Sequence, residues 1–386
     1  RYDAVLTHLP SRTARGIYAR AFSVRSAAKV TGKTMLYALD GRDPTMETGL
    51  PYEGGIRIAR TTTVRARAFR EHWVPSPLVA HTFVLPFRVA AHQAPAAYPS
   101  TWGEALTADY TVDPSFSSDV DAQQELAAAL TTLPTIALAV DPSHLFDPES
   151  GIYTNTESDG ADWERPASFE FIDYESSMQI HAGLRIHGRS SRKPMTSPKH
   201  SFRLLFKAQY GDGTLRAPLF GADAAEGFDT LVLHATSNYS WTFPLVEQRV
   251  RAQYTRDAWA KETQRAMGHA SAHVRYAQLY INGLYWGIYA VSERPDANFM
   301  ASYFGGRWED YDVRKGGETV DGEDRAWRTL LAMSADGFES EESYAALLDV
   351  LDIDNFIDYM ILNHYAGNEN WDYGNWYAAR RRAPGG

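Results

Sequence analysis

The chain has 386 residues, of which 44% are hydrophobic, and 48 acidic against 38 basic residues give it a formal net charge of −10. This balance argues against broad nucleic-acid binding, because the phosphate backbone requires a clustered positive surface. The absence of cysteine excludes disulfides, zinc–thiolate sites and thiol nucleophiles. No run approaches the roughly 18 apolar residues of a membrane helix, so no membrane span is expected. The length predicts two or more domains.

The first part of the chain has the pattern of a small antiparallel β-sandwich. Between residues 16 and 84, short alternating runs such as "TMLYALDG" and "HTFVL" are separated by turn residues, as in all-β modules. Residues 89–130 are rich in Pro, Ala, Ser and Asp, which predicts a linker or wrapping segment. The boundaries that follow are a β-sandwich over residues 1–88 and a separate domain over 131–386.

The third segment predicts an α+β domain with two lobes. Strand-like runs come first, at 135–140, 167–172, 178–186, 200–206 and 229–235. A long helix is predicted over 245–267, ended by Gly268. Asn282-Gly283 then predicts a tight hairpin. A helical part closes the chain, and in its last helix apolar residues recur at helical spacing after Asp352, a predicted N-cap.

Common catalytic motifs are absent from the sequence. There is no phosphate-binding Gly-rich loop with Lys, no dinucleotide fingerprint and no H-E-x-x-H pair. His269 and His273 stand four apart in "GHASAHVRY", and we interpret them as loop histidines rather than a zinc site. Ser190 and Ser191 lack a nucleophile elbow.

A basic segment, "HGRSSRKPMTSPKHSFR" (187–203), lies between two predicted strands. Backbone N–H groups, small hydroxyls and a lysine around one turn suit phosphate oxygens. The alternative is a solvated hairpin with basic tips, which on composition alone is the better interpretation.

The terminal loop places Asp372 three residues before Asn375, directly after the last predicted helix. In a phosphotransfer loop, such a carboxylate orients or deprotonates a hydroxyl and such an amide helps to hold a metal ion. The alternative is an Asx-rich turn whose side chains satisfy backbone donors. The serial order of basic strand pair, helix, hairpin, "VSERPD" segment, helical lobe and Asp/Asn loop favours a protein-kinase-like fold with adenine near "VSERPD".

Three stretches, "GLRIHGRSSR…PKHSFRLLF", "LYINGLYWGIYAVSERPD" and "GNENWDYGNWYAARRR", together resemble the CotH family of spore-coat kinase-like proteins. The resemblance covers about residues 180–386. It implies a two-lobed atypical protein-kinase-like domain that uses ATP with Mg²⁺ or Mn²⁺ to phosphorylate serine or threonine of a protein substrate. It also implies a secreted or cell-surface location, for which this chain carries no signal, and contact with cell-surface polysaccharide is a further expectation.

The resemblance assigns roles to individual residues. Lys199 and Asp372 match the catalytic lysine and aspartate, and Asn375 matches the metal-holding asparagine. The other matched residues are expected to bind the nucleotide, either from the loop over the phosphates or from the inter-lobe segment: Arg185, Ser190, Arg192, Glu293 and Asp296. Family members continue into a "WD" motif whose aspartate binds the metal, so we expect the domain to be truncated at its C-terminus before that motif. Arg1 in place of Met likewise suggests a fragment or a processed product.

Residues 30–86 resemble a second family, the chitobiase/β-hexosaminidase C-terminal-like module, through "LYALDGRDPTMETGLPYEGGIRIARTTTVRARAF" and "VPSPLVAHTFVL". This resemblance implies an immunoglobulin-like β-sandwich that acts as an accessory module. Asp40 and Asp43 lack the spacing of a calcium loop, and a turn with Asp side chains bonded to its own backbone is expected.

Two other classes of function compete with the kinase interpretation. A non-catalytic surface adhesin, scaffold or carbohydrate-binding module is suggested by Trp371, Trp376 and Tyr377, although packing under the loop would explain these aromatic residues equally well. A glycosidase would require two carboxylates facing each other across a cleft. Glu369 and Asp372 are close in sequence, but the sugar-module resemblance is to an accessory domain and not to a catalytic one.

Overall fold

A computed structural model provides the structure of the chain, and it describes residues 13–25, 32–102, 106–173, 176–372 and 374–382. Helices and sheets are both present, which confirms the α+β class with a β-rich N-terminal part. Within these ranges, every helix is too short or too polar to cross a bilayer. The two-lobed kinase-like arrangement stays a prediction.

The N-terminal part consists of two small sheets. A five-stranded sheet has the order β1-β7-β6-β3-β4, and a two-stranded sheet pairs β2 with β5. Buried side chains of both sheets, among them Val24, Ile58 and Phe83, pack into one core. The strand bounds are β1 Gly16–Ile17, β2 Phe22–Val24, β3 Thr34–Ala38, β4 Leu50–Pro51, β5 Ile56–Ile58, β6 Thr62–Phe69 and β7 Val79–Val84.

The predicted wrapping segment contains defined structure. A 3₁₀ turn at Pro86–Ala91 is followed by the paired strands β8 (Thr101–Trp102) and β9 (Leu106–Thr107) and the helices α1 (Ser115–Ser118) and α2 (Val120–Ala129). Asp119 caps α2, since its side chain accepts the backbone N–H groups of residues 121 and 122. The segment therefore packs as part of the fold.

A closed seven-stranded barrel follows, with the order β10-β11-β12-β13-β16-β18-β17. The neighbouring pairs β10–β11, β11–β12 and β12–β13 are antiparallel, whereas β10 pairs with β17 in parallel and closes the ring. The bounds are β10 Thr135–Val140, β11 Arg165–Ile172, β12 Ser177–His187, β13 Ser201–Leu205, β14 Leu215–Arg216, β15 Gly227–Phe228, β16 Thr230–His234, β17 Val274–Ile281 and β18 Leu284–Glu293. β14 pairs only with β15.

The predicted Asn282-Gly283 hairpin is confirmed between β17 and β18. Both turn residues have left-handed φ, 51° for Asn282 and 82° for Gly283, the geometry of a tight two-residue turn. The Asn282 side chain is buried: its Oδ1 accepts the Val140 N–H (2.9 Å), and its Nδ2 donates to the Val140 carbonyl (2.8 Å) and to the Tyr98 hydroxyl (2.9 Å). The turn therefore joins the barrel to the wrapping segment.

Helices dominate the rest of the chain. Their bounds are α3 Pro142–Phe146, α4 Val246–Arg249, α5 Arg256–Ala266, α6 Ala297–Phe304, α7 Arg325–Asp336, α8 Glu341–Leu348 and α9 Ile353–Tyr365. A three-stranded sheet has the order β20-β19-β21, with β19 Tyr311–Lys315, β20 Glu318–Asp321 and β21 Tyr377–Arg381.

The prediction of one helix over 245–267 was wrong. The chain forms α4 and α5 instead, because Tyr254 between them has a φ of 59°, which a right-handed helix cannot contain. Gly268 does follow the end of α5 with a φ of 93°. The Asp352 cap of α9 is confirmed, since its Oδ1 accepts the Asn355 N–H at 3.0 Å.

The chain divides into two compact units. The first comprises Arg1–Leu215, Val232–Ala252 and Tyr276–Val291, and so holds the N-terminal sheets, the wrapping segment and the body of the barrel. The second comprises Arg216–Leu231, Gln253–Arg275 and Ser292–Gly386, and holds α5 to α9 with the three-stranded sheet. The predicted boundaries at 88 and 131 stay predictions.

Replacing Gly283 with alanine is expected to lower the free energy of unfolding by about 2–4 kcal/mol. An added Cβ would lie 3.1 Å from the Thr61 carbonyl oxygen and 3.2 Å from Thr62 Cα, at a positive φ. Urea denaturation measures this loss. Gly32→Ala is the control, because Gly32 has a φ of 75° but nothing within 4 Å of an added Cβ. An equal loss in both variants would contradict close packing around the turn.

Candidate functional site

Arg192, predicted to bind phosphate, is buried in the first unit with an exposed fraction of 8%. Its guanidinium donates to the carbonyls of Gly188 (2.7 Å), Ser158 (2.8 Å) and Ile186 (2.7 Å), and it pairs with Asp159 at 2.9 Å. These contacts tie the basic turn to the loop before β11. In this conformation the guanidinium of Arg192 therefore binds protein groups and connects the basic turn to residues 158 and 159.

Arg185 is held by a carboxylate. Its Nε donates to Glu164 at 2.8 Å, and the same carboxylate accepts Lys207 (2.8 Å) and the Tyr210 hydroxyl (2.9 Å). Burial disfavours the charge on Glu164, but the hydrogen bonds from Lys207, Arg185 and Tyr210 outweigh it and hold the pKa of Glu164 below its usual range. Ser190, by contrast, is exposed at the start of the 3₁₀ turn Ser190–Arg192.

Lys199 lies among aromatic rings in the first unit. Its Nζ donates to the Asp109 carbonyl at 2.7 Å and lies 4.3 Å from the ring centroid of Trp286 and 5.0 Å from that of Trp102. Both tryptophans are at most 2% exposed. Burial lowers the pKa of Lys199 to about 8, and the negative charge of Asp109 partly opposes this. The ammonium is thus held by the wrapping segment and by β18.

These tryptophans belong to a larger aromatic cluster. The ring of Trp102 packs edge-to-face against that of Tyr110, with 5.2 Å between their centroids. The centroids of Trp102 and Trp286 are 5.4 Å apart, and those of Trp286 and Tyr153 are 5.3 Å apart. The polar atoms within the cluster are satisfied, since Trp102 Nε1 donates to the Tyr110 hydroxyl (3.0 Å) and Trp286 Nε1 to that of Tyr153 (3.2 Å). Sequence reasoning missed this cluster, because Trp102 and Trp286 lie 184 residues apart in the chain.

In the second unit, Glu293 is buried and fully hydrogen-bonded. Its Oε2 accepts both the backbone N–H and Nδ1 of His273 at 2.8 Å, and its Oε1 accepts the Tyr303 hydroxyl at 2.6 Å. The other ring nitrogen of His273 lies 3.3 Å from Asp223. His273 is therefore more than a loop histidine: it connects a buried carboxylate to the loop before β15.

Asp296 caps α6, accepting the Phe299 N–H at 3.3 Å, and pairs with Arg294 at 3.4 Å. Burial is the main cause that raises its pKa to about 6; the charges of Asp229 and Asp321 add to the rise, and Arg294 opposes it. The carboxylate is thus partly protonated in mildly acidic solution.

The terminal loop has the geometry of an Asx-rich turn. Asn368 Oδ1 accepts the Asn370 N–H at 3.2 Å, and Asn375, with a φ of 59°, donates from Nδ2 to the Asn370 carbonyl at 3.1 Å. Asp372 is exposed. The side-chain to backbone hydrogen bonds expected of an Asx-rich turn are therefore present, and one of them ties the side chain of Asn375 to the backbone of Asn370.

The aromatic residues of this loop are packed. Trp371 contacts Tyr359 at 5.8 Å, Trp376 lies 5.2 Å from Trp327, and Tyr377 packs against the core of β19 and α6. Packing under the loop, the alternative to a sugar-binding surface, thus accounts for all three.

A divalent metal was expected at Asn375. Among the described residues, no three His, Asp or Glu side chains form a group that would hold a metal by themselves. Mg²⁺ commonly takes one or two protein oxygens together with phosphates and water. The amide oxygen of the exposed Asn375 fits that donor set. Lys199 lies in the first unit, whereas Asp372 and Asn375 lie in the second.

A family model described as CotH kinase protein matches residues 184–384, and one described as Fn3 associated matches residues 26–83. No curated protein matches the chain. A solved structure of Drosophila OTK, extracellular domains 3–5, is 7% identical, with a TM-score of 0.17 over 50% of this chain and 72% of that chain, a likeness too weak to carry an argument.

Replacing Asp296 with asparagine is expected to raise the free energy of unfolding by about 2 kcal/mol near neutral pH. The pKa of Asp296 is about 6 when folded against 3.8 ordinarily, so the wild type loses stability as the pH rises from about 4 to about 6. Asparagine keeps the cap without the charge. The gain should therefore shrink toward pH ~4, as measured by urea denaturation across pH.

The exposed Glu369 provides the control. Glu369→Gln should change the free energy of unfolding little, because the side chain is exposed. A gain from Asp296→Asn that stays constant down to pH ~4 would contradict a raised pKa at this position.

Proposed function

Because the chain belongs to the CotH kinase family, we propose that it is an ATP-dependent phosphotransferase that phosphorylates serine or threonine of surface or secreted proteins. The family match over residues 184–384 is the observation that carries this proposal, since it supports a kinase-like function. The cofactors proposed are ATP with Mg²⁺ or Mn²⁺. The N-terminal module at 26–83 accompanies this domain, and its chitobiase-like character stays a prediction.

Two residues of the second unit carry the proposed chemistry. Asp372, exposed in the terminal loop, accepts or orients the proton of the acceptor hydroxyl. Asn375 holds the metal through its amide oxygen, because its Nδ2 is already committed to the Asn370 carbonyl. The metal, when bound, neutralises charge on the transferring phosphoryl group. Glu293 and Asp296 shape the nucleotide-binding segment from buried positions.

In the first unit, Lys199 is proposed to contact the nucleotide phosphates. To do so it exchanges one hydrogen bond, that to the Asp109 carbonyl, for a phosphate oxygen. The faces of Trp102 and Trp286 continue to stabilise the ammonium. Arg185, Ser190 and Arg192 form the loop over the phosphates, with Arg192 fixing its shape and Ser190 offering an exposed hydroxyl.

The competing function is a non-catalytic surface adhesin or scaffold. The observation in its favour is that Lys199 and Arg192 are both engaged by protein groups within the first unit. A carbohydrate site at Trp371, Trp376 and Tyr377 has less support, since these side chains pack against their own unit. The two functions differ in nucleotide binding and turnover.

Replacing Asp372 with alanine is expected to lower phosphate transfer from ATP by about 100-fold or more, because such catalysis depends on positioning and charge neutralisation. Transfer of labelled phosphate to a serine-rich acceptor measures this, and a thermal shift with ATP and Mn²⁺ should vanish in the same variant. Glu369→Ala is the control: it removes an exposed carboxylate from the same loop and should change neither.

Absence of a thermal shift in the wild-type protein would favour the scaffold function. A shift with a neutral oligosaccharide and none with ATP would reverse the order of the two proposals. If Glu369→Ala abolished an activity on glycosides together with Asp372→Ala, the glycosidase interpretation would return.

Replacing Lys199 with methionine is expected to lower turnover by about 100-fold and to leave the free energy of unfolding within about 1 kcal/mol of the wild type. Methionine keeps the apolar stem between the two tryptophans, and the ammonium it removes is one that burial already disfavours. Steady-state kinetics and urea denaturation provide the two readouts. A large loss of stability with unchanged turnover would assign Lys199 a structural role only.

A further inference from the structure

A cleft of about 710 Å³ lies in the first unit, and none of the residues proposed for phosphotransfer lines it. It is bounded by the chain between β1 and β2, by the 3₁₀ turn Pro86–Ala91 and by α2. Its volume falls in the range of small-molecule sites, about 300–1,000 Å³.

Helix α2 presents one face to this cleft. Residues 120, 123, 124, 127 and 128 line it, at the i, i+3, i+4, i+7, i+8 spacing of a single helical face. Two of these positions are alanines, which leave a shallow floor, and two are glutamines. The acidic residues Asp121 and Glu125 fall between these positions and lie on other faces of the helix. Among the described residues that line the cleft, no carboxylate is present.

Two arginines line the cleft from outside the helix. Arg20 and Arg88 are both exposed, and the described part of the chain supplies neither guanidinium with a hydrogen-bond acceptor or a carboxylate partner. In a chain of net charge −10, two unpaired guanidinium groups in a cleft without carboxylates create a local preference for anions. The planar fork of arginine matches carboxylate geometry in particular.

The remaining lining is apolar or amide-bearing. Phe87 is 53% exposed and Val120 is 65% exposed at the cleft. The Gln124 side chain is exposed, and Gln123 uses its amide nitrogen on the Ser117 carbonyl, which leaves its amide oxygen as an acceptor. A ligand suited to this lining carries carboxylates, hydroxyl groups for the amides, and a ring whose apolar face lies on Phe87.

We propose that this cleft binds a short acidic oligosaccharide of the uronate type. Arg20 and Arg88 bind its carboxylates, Gln123 and Gln124 bind its hydroxyls, and Phe87 contacts a sugar ring. The site is independent of the proposed phosphotransfer, and none of the aromatic residues of the terminal loop lines it. It gives the N-terminal part of the chain a binding role of its own.

Isothermal titration calorimetry of the whole chain with trigalacturonate at low ionic strength tests the proposal. The wild type should bind it, and the double variant Arg20→Gln/Arg88→Gln should bind at least about tenfold more weakly, since each charge-assisted pair contributes strongly. Phe87→Ser should also weaken binding. Neutral maltotriose should not bind. All three substituted side chains are exposed, so folding should be retained, and circular dichroism checks this.

The matched control is Arg57→Gln/Arg60→Gln, which removes the same charge from two exposed arginines of the same unit that do not line the cleft. It should bind trigalacturonate like the wild type. Equal weakening in the control would reduce the effect to net charge and overturn the proposal. Failure of the wild type to bind would overturn it too, as would tighter binding of hexaglutamate than of trigalacturonate, which would assign the cleft to acidic peptides.

Discussion

The side-chain amide of Asn282 is the interaction on which the arrangement of the first unit depends. It sits at the tip of a two-residue turn, yet it is buried and bonds both the N–H and the carbonyl of Val140 and the hydroxyl of Tyr98. The adjacent Gly283 has no room for a side chain against Thr61 and Thr62. One turn thus fixes the β17–β18 hairpin against β10, the wrapping segment and the N-terminal sheets, and an unpaired amide there would cost the full desolvation penalty.

The same segment that Asn282 holds also controls the surroundings of Lys199. Tyr98 begins an aromatic cluster that continues through Tyr110 and Trp102 to Trp286, and the ammonium of Lys199 lies on the last two rings. Aromatic faces and one carbonyl stabilise a cation more weakly than a phosphate would, because they carry no net charge. An anion such as a phosphate would therefore bind the ammonium of Lys199 more strongly than its present neutral partners do.

The cleft at Arg20 and Arg88 also favours anions, because two guanidinium groups line it and none of its described lining residues is a carboxylate.

Turns and helix caps that depend on neighbouring residues were predictable from the sequence, whereas side-chain contacts between distant parts of the chain were not. The Asn-Gly turn and the Asp352 cap depend on residues within a few positions, and the structure has both. The prediction of one long helix over 245–267 failed because Tyr254 takes a left-handed conformation that its residue type does not predict. The contacts of Lys199, His273 and Arg192 also escaped prediction. Their partners lie 90, 20 and 36 residues away, and no periodicity relates positions at such separations.

The central claim is that Lys199 contacts the phosphates of ATP. Its most direct test is the rate at which an amine-reactive reagent labels Lys199, followed by peptide mass spectrometry with and without ATP and Mn²⁺. The account predicts that labelling of Lys199 slows when ATP is added, because an ammonium bound to phosphate is less available as the free amine, whereas exposed Lys193 should label equally in both conditions. Labelling of Lys199 that is unchanged by saturating ATP would contradict the claim.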